Sequence, residues 1–349
     1  MNAEAPRRRG RRLAITRRIE DGEAVYLRGG RRITRRSELS RLDALAVPPA
    51  WTDVEISASP RSKILARGID AAGRAQAIYH SAFRARQDRE KFARMVRFAR
   101  ALPALRARVD RDLRRRRLGR DRVSACVIRL IDRELFRVGN PEYARRHRSF
   151  GVTTLREDHV VTDTTAVEFD FVGKSGARQS RRVADPRIAR VVARLQELPG
   201  PELFRFFDED GEIRELRSRH VNAYLRRHAG RGFSAKDFRT WGATVIVAAA
   251  LARLDPADAE EPKRAAAAAR DAVREAAERL GNTPAVTRSA YVDPRVLAAF
   301  EDAGTVAALA RARRRMRARH HLTVDEQYAL ALLTGSIGRG KRGSGGTGS

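Results

Sequence analysis

The hydrophobic period of this chain changes near Arg84, and that change limits the folds open to it. Between Ile15 and about His80 the apolar residues come in short runs, Ala24-Val25-Tyr26-Leu27, Val54-Glu55-Ile56 and Ile64-Leu65-Ala66. Gly29-Gly30, Pro48-Pro49 and Asp70-Ala71-Ala72-Gly73 break them, which is the pattern of strands joined by turns. From Arg84 onward Phe92, Met95, Val96, Phe98, Ala99 and Leu102 recur at helical spacing, as do Val123, Val127, Leu130 and Ile131. One strand-rich interval interrupts the helices: Val160-Val161, then Val167 to Val172, leading into Gly173-Lys174 as a hairpin tip. An alanine-rich helix is expected from about Pro262 to Leu280, terminated by Gly281. The fold class is therefore α+β: a small β-rich N-terminal domain with a helix or two, then a larger, mainly α-helical domain with a small antiparallel sheet. The boundaries that follow are 13–83 and 84–334. Residues 1–12 and 335–349, rich in Arg or in Gly and Ser, are expected to be disordered tails. No internal repeat is visible, and 42% hydrophobic residues suffice for a core in each domain.

Charge narrows the partner. Lys and Arg total 73 against 43 Asp and Glu, a formal net charge of +30, and a field of that sign and strength attracts polyanions, duplex nucleic acid first among them. A membrane is not expected as partner, since no apolar run of membrane-spanning length and no secretory signal pattern is present. A cytoplasmic, nucleoid-associated location is the expectation. The single cysteine, Cys126, lies in the apolar stretch from Val123 to Ile131; it excludes an internal disulfide and a cysteine-based metal cluster and is expected to be a small buried hydrophobe.

Only six of the basic residues are lysines: Lys63, Lys91, Lys174, Lys236, Lys263 and Lys341. Arginine stays protonated at any physiological pH, whereas an ammonium can be tuned to give up a proton. Lysines kept in so arginine-rich a chain are thus worth noting where they sit in a motif. Lys174 lies in Gly173-Lys174-Ser175, and Lys236 opens Lys236-Asp237-Phe238-Arg239-Thr240-Trp241.

Two further motifs join these. Arg137 lies in Phe136-Arg137-Val138-Gly139-Asn140-Pro141-Glu142-Tyr143, where Gly139 permits a close backbone approach of the kind a phosphate contact would use. Tyr291 follows Ser289-Ala290, shortly after Leu280-Gly281-Asn282-Thr283-Pro284. Taken singly, each residue has an ordinary alternative: a solvated arginine at a helix end for Arg137, a hairpin-tip charge for Lys174, an ion pair with Asp237 or another acid for Arg239, a partly buried core tyrosine for Tyr291. Their chemistry interlocks when they are taken together. A tyrosine oxygen attacking a phosphodiester builds negative charge on a pentacoordinate phosphorus, and guanidinium groups match that charge in sign and geometry. The departing deoxyribose oxygen needs a proton, which a lysine can supply. The phosphotyrosine so formed conserves the bond energy, so resealing needs no ATP. The chain has no Walker-type loop and no clustered acidic motif for catalytic magnesium, so neither a metal nor a small-molecule cofactor is expected.

As an ordered set these segments resemble the type IB DNA topoisomerases of the bacterial, poxvirus-like branch. The resemblance runs from about Ala46 to Phe300 and includes Val47-Pro48-Pro49-Ala50-Trp51-Thr52-Asp53-Val54, Gly73-Arg74-Ala75-Gln76-Ala77-Ile78-Tyr79-His80, Phe150-Gly151-Val152-Thr153-Thr154-Leu155 and Phe171-Val172-Gly173-Lys174-Ser175-Gly176, besides the motifs above. It implies that Tyr291 is a nucleophile forming a 3′-phosphotyrosyl link, that Arg137 and Arg239 hold the scissile phosphate, that Lys174 is the general acid, and that Lys236 assists proton delivery. It implies a monomer that closes around duplex DNA between a β-rich N-terminal domain and a helical catalytic domain, with Gln76, Tyr79, Gly139 and Tyr143 contacting DNA. Asn282 stands where the viral members have a histidine that donates to a phosphate oxygen; asparagine also donates but never carries charge. Ala77 stands where the family often has an aromatic residue, so the resemblance does not by itself imply the viral preference for one short DNA sequence. Tyrosine recombinases share the arginine, lysine and tyrosine set but usually place histidine where this chain has Lys236, and a non-enzymatic DNA-packaging protein would need the charge alone.

Overall fold

A computed structural model of the chain describes residues 13–336. These fall into two compact units that divide between Lys91 and Phe92.

The first unit is built on a six-stranded antiparallel sheet of β1 (Ile15–Glu20), β2 (Glu23–Arg28), β3 (Arg31–Arg32), β4 (Thr52–Ile56), β5 (Ile64–Ile69) and β6 (Ala75–Tyr79), in the order β3-β2-β1-β4-β5-β6. The helix α1 (Arg36–Asp43) lies between β3 and β4 in sequence. The two tight hairpins use the residues such turns demand: Asp21-Gly22 and Gly29-Gly30 all have positive φ, the conformation whose twist matches the flanking strands. Ile15, Tyr26, Leu42, Val54, Ile56 and Ala66 form the core of this unit. The strand β1 has a weak apolar signal because only Ile15 in it is buried. Its Arg17 serves instead as a clamp, donating to the carbonyls of Val47 (2.8 Å), Pro48 (2.9 Å) and Trp51 (2.8 Å) and so fixing the Pro-Pro loop that precedes β4.

The long helix α2 (Ser81–Leu113) runs into the second unit, followed by α3 (Arg120–Glu134) and α4 (Pro141–His147). A three-stranded antiparallel sheet comes next, β7 (Val160–Thr162), β8 (Ala166–Val172) and β9 (Arg178–Ala184), then α5 (Pro186–Gln196). The hairpin β10 (Arg205–Phe207) and β11 (Ile213–Glu215) leads to α6 (Ser218–His228) and the apolar α7 (Ala235–Leu251). The remaining helices are α8 (Pro256–Glu260), α9 (Pro262–Leu280), α10 (Pro284–Ala290), α11 (Pro294–Ala298), α12 (Ala303–Arg315) and α13 (Val324–Thr334).

The central α7 is buried along most of its length. Phe238 meets Phe98 of α2 edge-on at 5.0 Å between ring centroids, and the indole N–H of Trp241 donates to Glu326 of α13 at 3.1 Å. Glu326 and Asp132 of α3 share the guanidinium of Arg106, so one buried ionic cluster joins α2, α3 and α13. Cys126 is fully buried among apolar neighbours. No helix of the described residues is long and apolar enough to cross a membrane.

The expected strands, the helices and the alanine-rich α9 ending at Gly281 are all present. One expectation needs correction at the C-terminal end: Gly335 does not begin a tail. It caps α13 with a left-handed φ of 65°, and the N–H groups of Gly335 and Ser336 bond back to Leu332 and Ala331 at 3.1 and 3.0 Å. The rest of that expected tail, and all of 1–12, lie outside the described residues.

Candidate active site

Arg239 is 4% exposed on α7, which Asp237 starts by accepting from the Ser234 N–H at 2.8 Å. The acid partner considered for Arg239 is committed elsewhere, because Asp237 pairs with Arg94 of α2 at 3.0 Å. Arg239 instead donates to two backbone carbonyls, Leu135 and, at 3.0 Å, Leu280. Both close helices. Leu135 ends α3 in a left-handed conformation, and Leu280 ends α9. At α9 the closure is a full Schellman arrangement: Gly281 has φ 60°, its N–H bonds Glu278, and the Asn282 N–H bonds Ala277 at 3.0 Å. The Leu280 and Gly281 carbonyls are thereby left to accept from side chains.

Arg137 lies beyond the α3 cap in an irregular segment rather than on a helix end. Its neighbour Phe136 packs edge-on against Phe169 and Phe171 of β8, and the carbonyls of Arg137 and Val138 accept from Val152 (2.8 Å) and Thr153 (2.7 Å). The close approach that Gly139 permits is to this same segment: at its φ of 101°, a Cβ would stand 3.0–3.1 Å from Thr154, Thr153 and the Gly151 carbonyl. The glycine thus serves packing beneath Arg137. The half-buried guanidinium donates to the Gly281 carbonyl at 3.2 Å and to Oδ1 of Asn282. The other end of that amide, Nδ2 of Asn282, is buried without a partner, as is Nε of Arg239.

Tyr291 stands at the C-terminal end of α10, its ring centroid 5.3 Å from the Arg239 guanidinium carbon. Burial pushes its phenol up, but the positive charges of Arg239, Lys236 and Arg137 outweigh burial and hold it below the ordinary tyrosine value. Burial, with repulsion from Arg137, lowers Arg239 to about 10. Burial also lowers Arg137. Among the described residues neither guanidinium has a carboxylate partner, unlike Arg106 and Arg205; buried Arg122, which donates to the Arg116 carbonyl, also lacks one, but only Arg137 and Arg239 stand together beside a tyrosine. Helix C-termini offer only partial negative charge. The cluster is left cationic and part-desolvated, a setting that favours a bound anion and a phenolate.

Lys236 lies in the first turn of α7 with its side chain exposed. Lys174 sits at the tip between β8 and β9, where Ser175 (φ 62°) and Gly176 (φ 76°) reverse the chain; it is exposed and forms no ion pair or hydrogen bond with another described side chain. The strand β9 just past that tip lies against the α9 cap: a Cβ on Gly281 would stand 2.7 Å from the buried Gln179 amide, and Arg181 donates to the Glu278 carbonyl at 3.5 Å. Tyr143, on α4, tilts against His147 at 5.6 Å. Gln76 and Tyr79 belong to the first unit. Gln76 donates to Asp70 at 2.9 Å, the carboxylate that also organises the Asp70–Arg74 turn, and Tyr79 tilts against Phe83 at 5.5 Å.

The carbonyls of Leu135 and Leu280 left no trace in the sequence, since every residue has one. Thr244 did: it is a polar residue in the apolar run from Ala243 to Ala250, and it lies buried beneath Tyr291.

Residues 80–318 match the family of the eukaryotic DNA topoisomerase I catalytic core, and residues 26–70 match the N-terminal domain of bacterial DNA topoisomerase IB. The chain is 31% identical over 262 residues to the DNA topoisomerase 1B of Acanthamoeba polyphaga mimivirus, covering 73% of this chain and 77% of the relative. It is 21% identical over 270 residues to DNA topoisomerase 1B of vaccinia virus (strain Western Reserve), covering 75% and 81%. With DNA topoisomerase 1 of Mycosarcoma maydis it shares 24% over 183 residues, 47% of this chain and 18% of that protein. Two family models in the expected order, and a relative matched over most of both chains, establish that this chain belongs to the type IB DNA topoisomerases.

Proposed function

We propose that this topoisomerase relaxes supercoiled duplex DNA by cutting one strand through Tyr291, letting it rotate, and resealing it, without ATP or metal. The observation that carries the proposal is the pair of guanidiniums, Arg137 and Arg239, that lack a carboxylate and flank the phenol of Tyr291. A scissile phosphate supplies the negative charge the cluster lacks, and its pentacoordinate transition state, more negative still, is held more tightly than the ground state. Lowering of the phenol by Arg239, Lys236 and Arg137 favours the attacking oxyanion. The Tyr291 oxygen bonds to phosphorus as the bond to the 5′ oxygen of the next nucleotide breaks. Lys174 protonates that departing oxygen, with Lys236 assisting, and the reverse reaction reseals the strand. The free Nδ2 of Asn282 donates to a non-bridging phosphate oxygen. Gln76, Tyr79, Gly139 and Tyr143 lie along the bound duplex, around which the protein closes as a monomer.

Plasmid relaxation in EDTA tests this, with Tyr291→Phe beside the wild type. Wild-type protein relaxes both positive and negative supercoils and leaves a denaturant-stable protein–DNA adduct, and Tyr291→Phe does neither. An adduct persisting in Tyr291→Phe would dismiss Tyr291 as the nucleophile.

A further inference from the structure

We propose that the hydroxyl of Thr244 is the positioning group that sets Tyr291 against Arg239. The inference rests on Tyr291 being the nucleophile. Thr244 lies five residues after Arg239 on α7 and has no exposed surface. Its Oγ1 is 3.2 Å from the main-chain carbonyl oxygen of Tyr291, 2.8 Å from that of Thr240, and accepts from the Asp293 N–H at 3.3 Å. On the other side, the N–H groups of Tyr291 and Val292 both donate to the Thr287 carbonyl, at 3.0 and 3.1 Å.

Tyr291 therefore hangs between two anchors, α10 before it and α7 after it. The second anchor shares a helix with the guanidinium that faces the phenol. One hydroxyl proton serves two carbonyls, so the bond to Tyr291 competes with the ordinary back-bond to Thr240. The bond received from Asp293 is compatible with either choice, and it keeps the oxygen engaged with the segment that follows the tyrosine. Asp293 is itself fully buried and fixed: it caps α11 and pairs with Arg295, which donates to the Leu333 carbonyl at the end of α13 at 2.9 Å. With the chain beyond Tyr291 held by α13, Thr244 is the link between that chain and the α7 register that carries Arg239. In-line attack depends steeply on such distances, a displacement of about 1 Å being enough to cost about a hundredfold.

The test uses the full chain and a duplex whose cleaved end diffuses away, so that a single round of adduct formation is timed. Thr244→Val keeps the shape and removes the hydroxyl, and Thr244→Ser restores it. Tyr291→Phe is the control. Expected are a Thr244→Val cleavage rate lower by about tenfold to a hundredfold with unchanged DNA affinity, and a Thr244→Ser rate within about threefold of wild type. The inference is overturned if Thr244→Val cleaves at the wild-type rate, if Thr244→Ser is as slow as Thr244→Val, or if Thr244→Val unfolds or loses DNA binding along with cleavage, since the hydroxyl would then hold the fold and not the nucleophile. A Tyr291→Phe protein that still forms adduct would remove the catalytic assignment itself. A dead Tyr291→Phe beside a fast Thr244→Val would remove only the role of Thr244.

Discussion

A cation buried without an acid is an unstable arrangement for a fold to keep, and Arg239 keeps it. Its value near 10 lies below the ordinary 12.5, so the guanidinium, still protonated at neutral pH, is destabilised by folding relative to the unfolded chain. The sign is opposite to that of a paired group: the cost is present below pH 10 and is relieved as pH rises through the folded value. It amounts to about 3 kcal/mol, since a tenfold change in proton affinity between the folded and unfolded chain corresponds to about 1.4 kcal/mol. An anion placed beside the pair offsets that cost. Asn282→Asp is therefore expected to raise the melting temperature of the DNA-free protein by a few degrees, about 1 kcal/mol, through a new pair with Arg137. The same change should slow strand cleavage on the order of tenfold or more, because the carboxylate neutralises the charge that the proposed mechanism reserves for phosphate; a variant that is both faster and less stable would refute the account. Tyr291 titrates the other way. Its lowered phenol loses its proton below the usual pH, so the alkaline rise of the cleavage rate should have its midpoint below 10. Removing one of the charges that lower it, by Lys236→Ala, should move that midpoint to higher pH, and an unmoved limb in a pH–rate profile would show that Lys236 does not act on the phenol.

At the scale of elements, the site is assembled from helix ends. The closures of α3 and α9 aim carbonyls at the guanidiniums, and two glycines make the approach possible. Gly281 supplies the left-handed cap of α9, and Gly242 lets α7 lie against the Leu135 side chain, which a Cβ there would meet at 2.5 Å. Gly281→Ala forces alanine into φ 60° and brings a Cβ to 2.7 Å from Gln179. The expected loss of stability is about 1–2 kcal/mol, read as a lower melting temperature. Cleavage should fall further than stability alone explains, since the carbonyls holding Arg137 and Arg239 shift with the cap. A Gly281→Ala protein that melts lower yet cleaves at the wild-type rate would show that the cap shapes the helix and not the site.

Over the whole molecule, the proposed reaction assigns encounter with DNA to the excess of positive charge and chemistry to the local cluster. With a net charge of +30, affinity for duplex DNA should fall steeply with salt, the logarithm of the binding constant dropping by about 0.9 per neutralised phosphate for each tenfold in salt. Residues 1–12 contain Arg7, Arg8, Arg9, Arg11 and Arg12. Deleting them should flatten the salt slope, by as much as about 4.5 if every one of these arginines contacts phosphate, and leave the cleavage rate of saturated DNA unchanged. An identical slope in filter-binding or anisotropy titrations would mean that these charges do not touch DNA.

By itself the sequence determined the class of fold, the place where β gives way to α, the length and closure of α9 and the hairpin that carries Lys174, and it singled out the cationic and phenolic groups proposed for the site. These are local matters, fixed by hydrophobic period, by glycine at a left-handed cap, and by the scarcity of lysine among arginines. The strand β1 was less legible because its middle is arginine, and the role of Arg17 there lies in carbonyls far along the chain, those of Val47 and Pro48. Only the tertiary structure decided that Asp237 goes to Arg94 and not to Arg239, that Gly139 packs on Gly151, that Asn282 grips Arg137, and that Thr244 reaches the Tyr291 carbonyl. Each of those depends on which backbone atoms and side chains meet across long stretches of chain, and main-chain carbonyls, the acceptors that leave the site its unpaired charge, look the same at every position of a sequence.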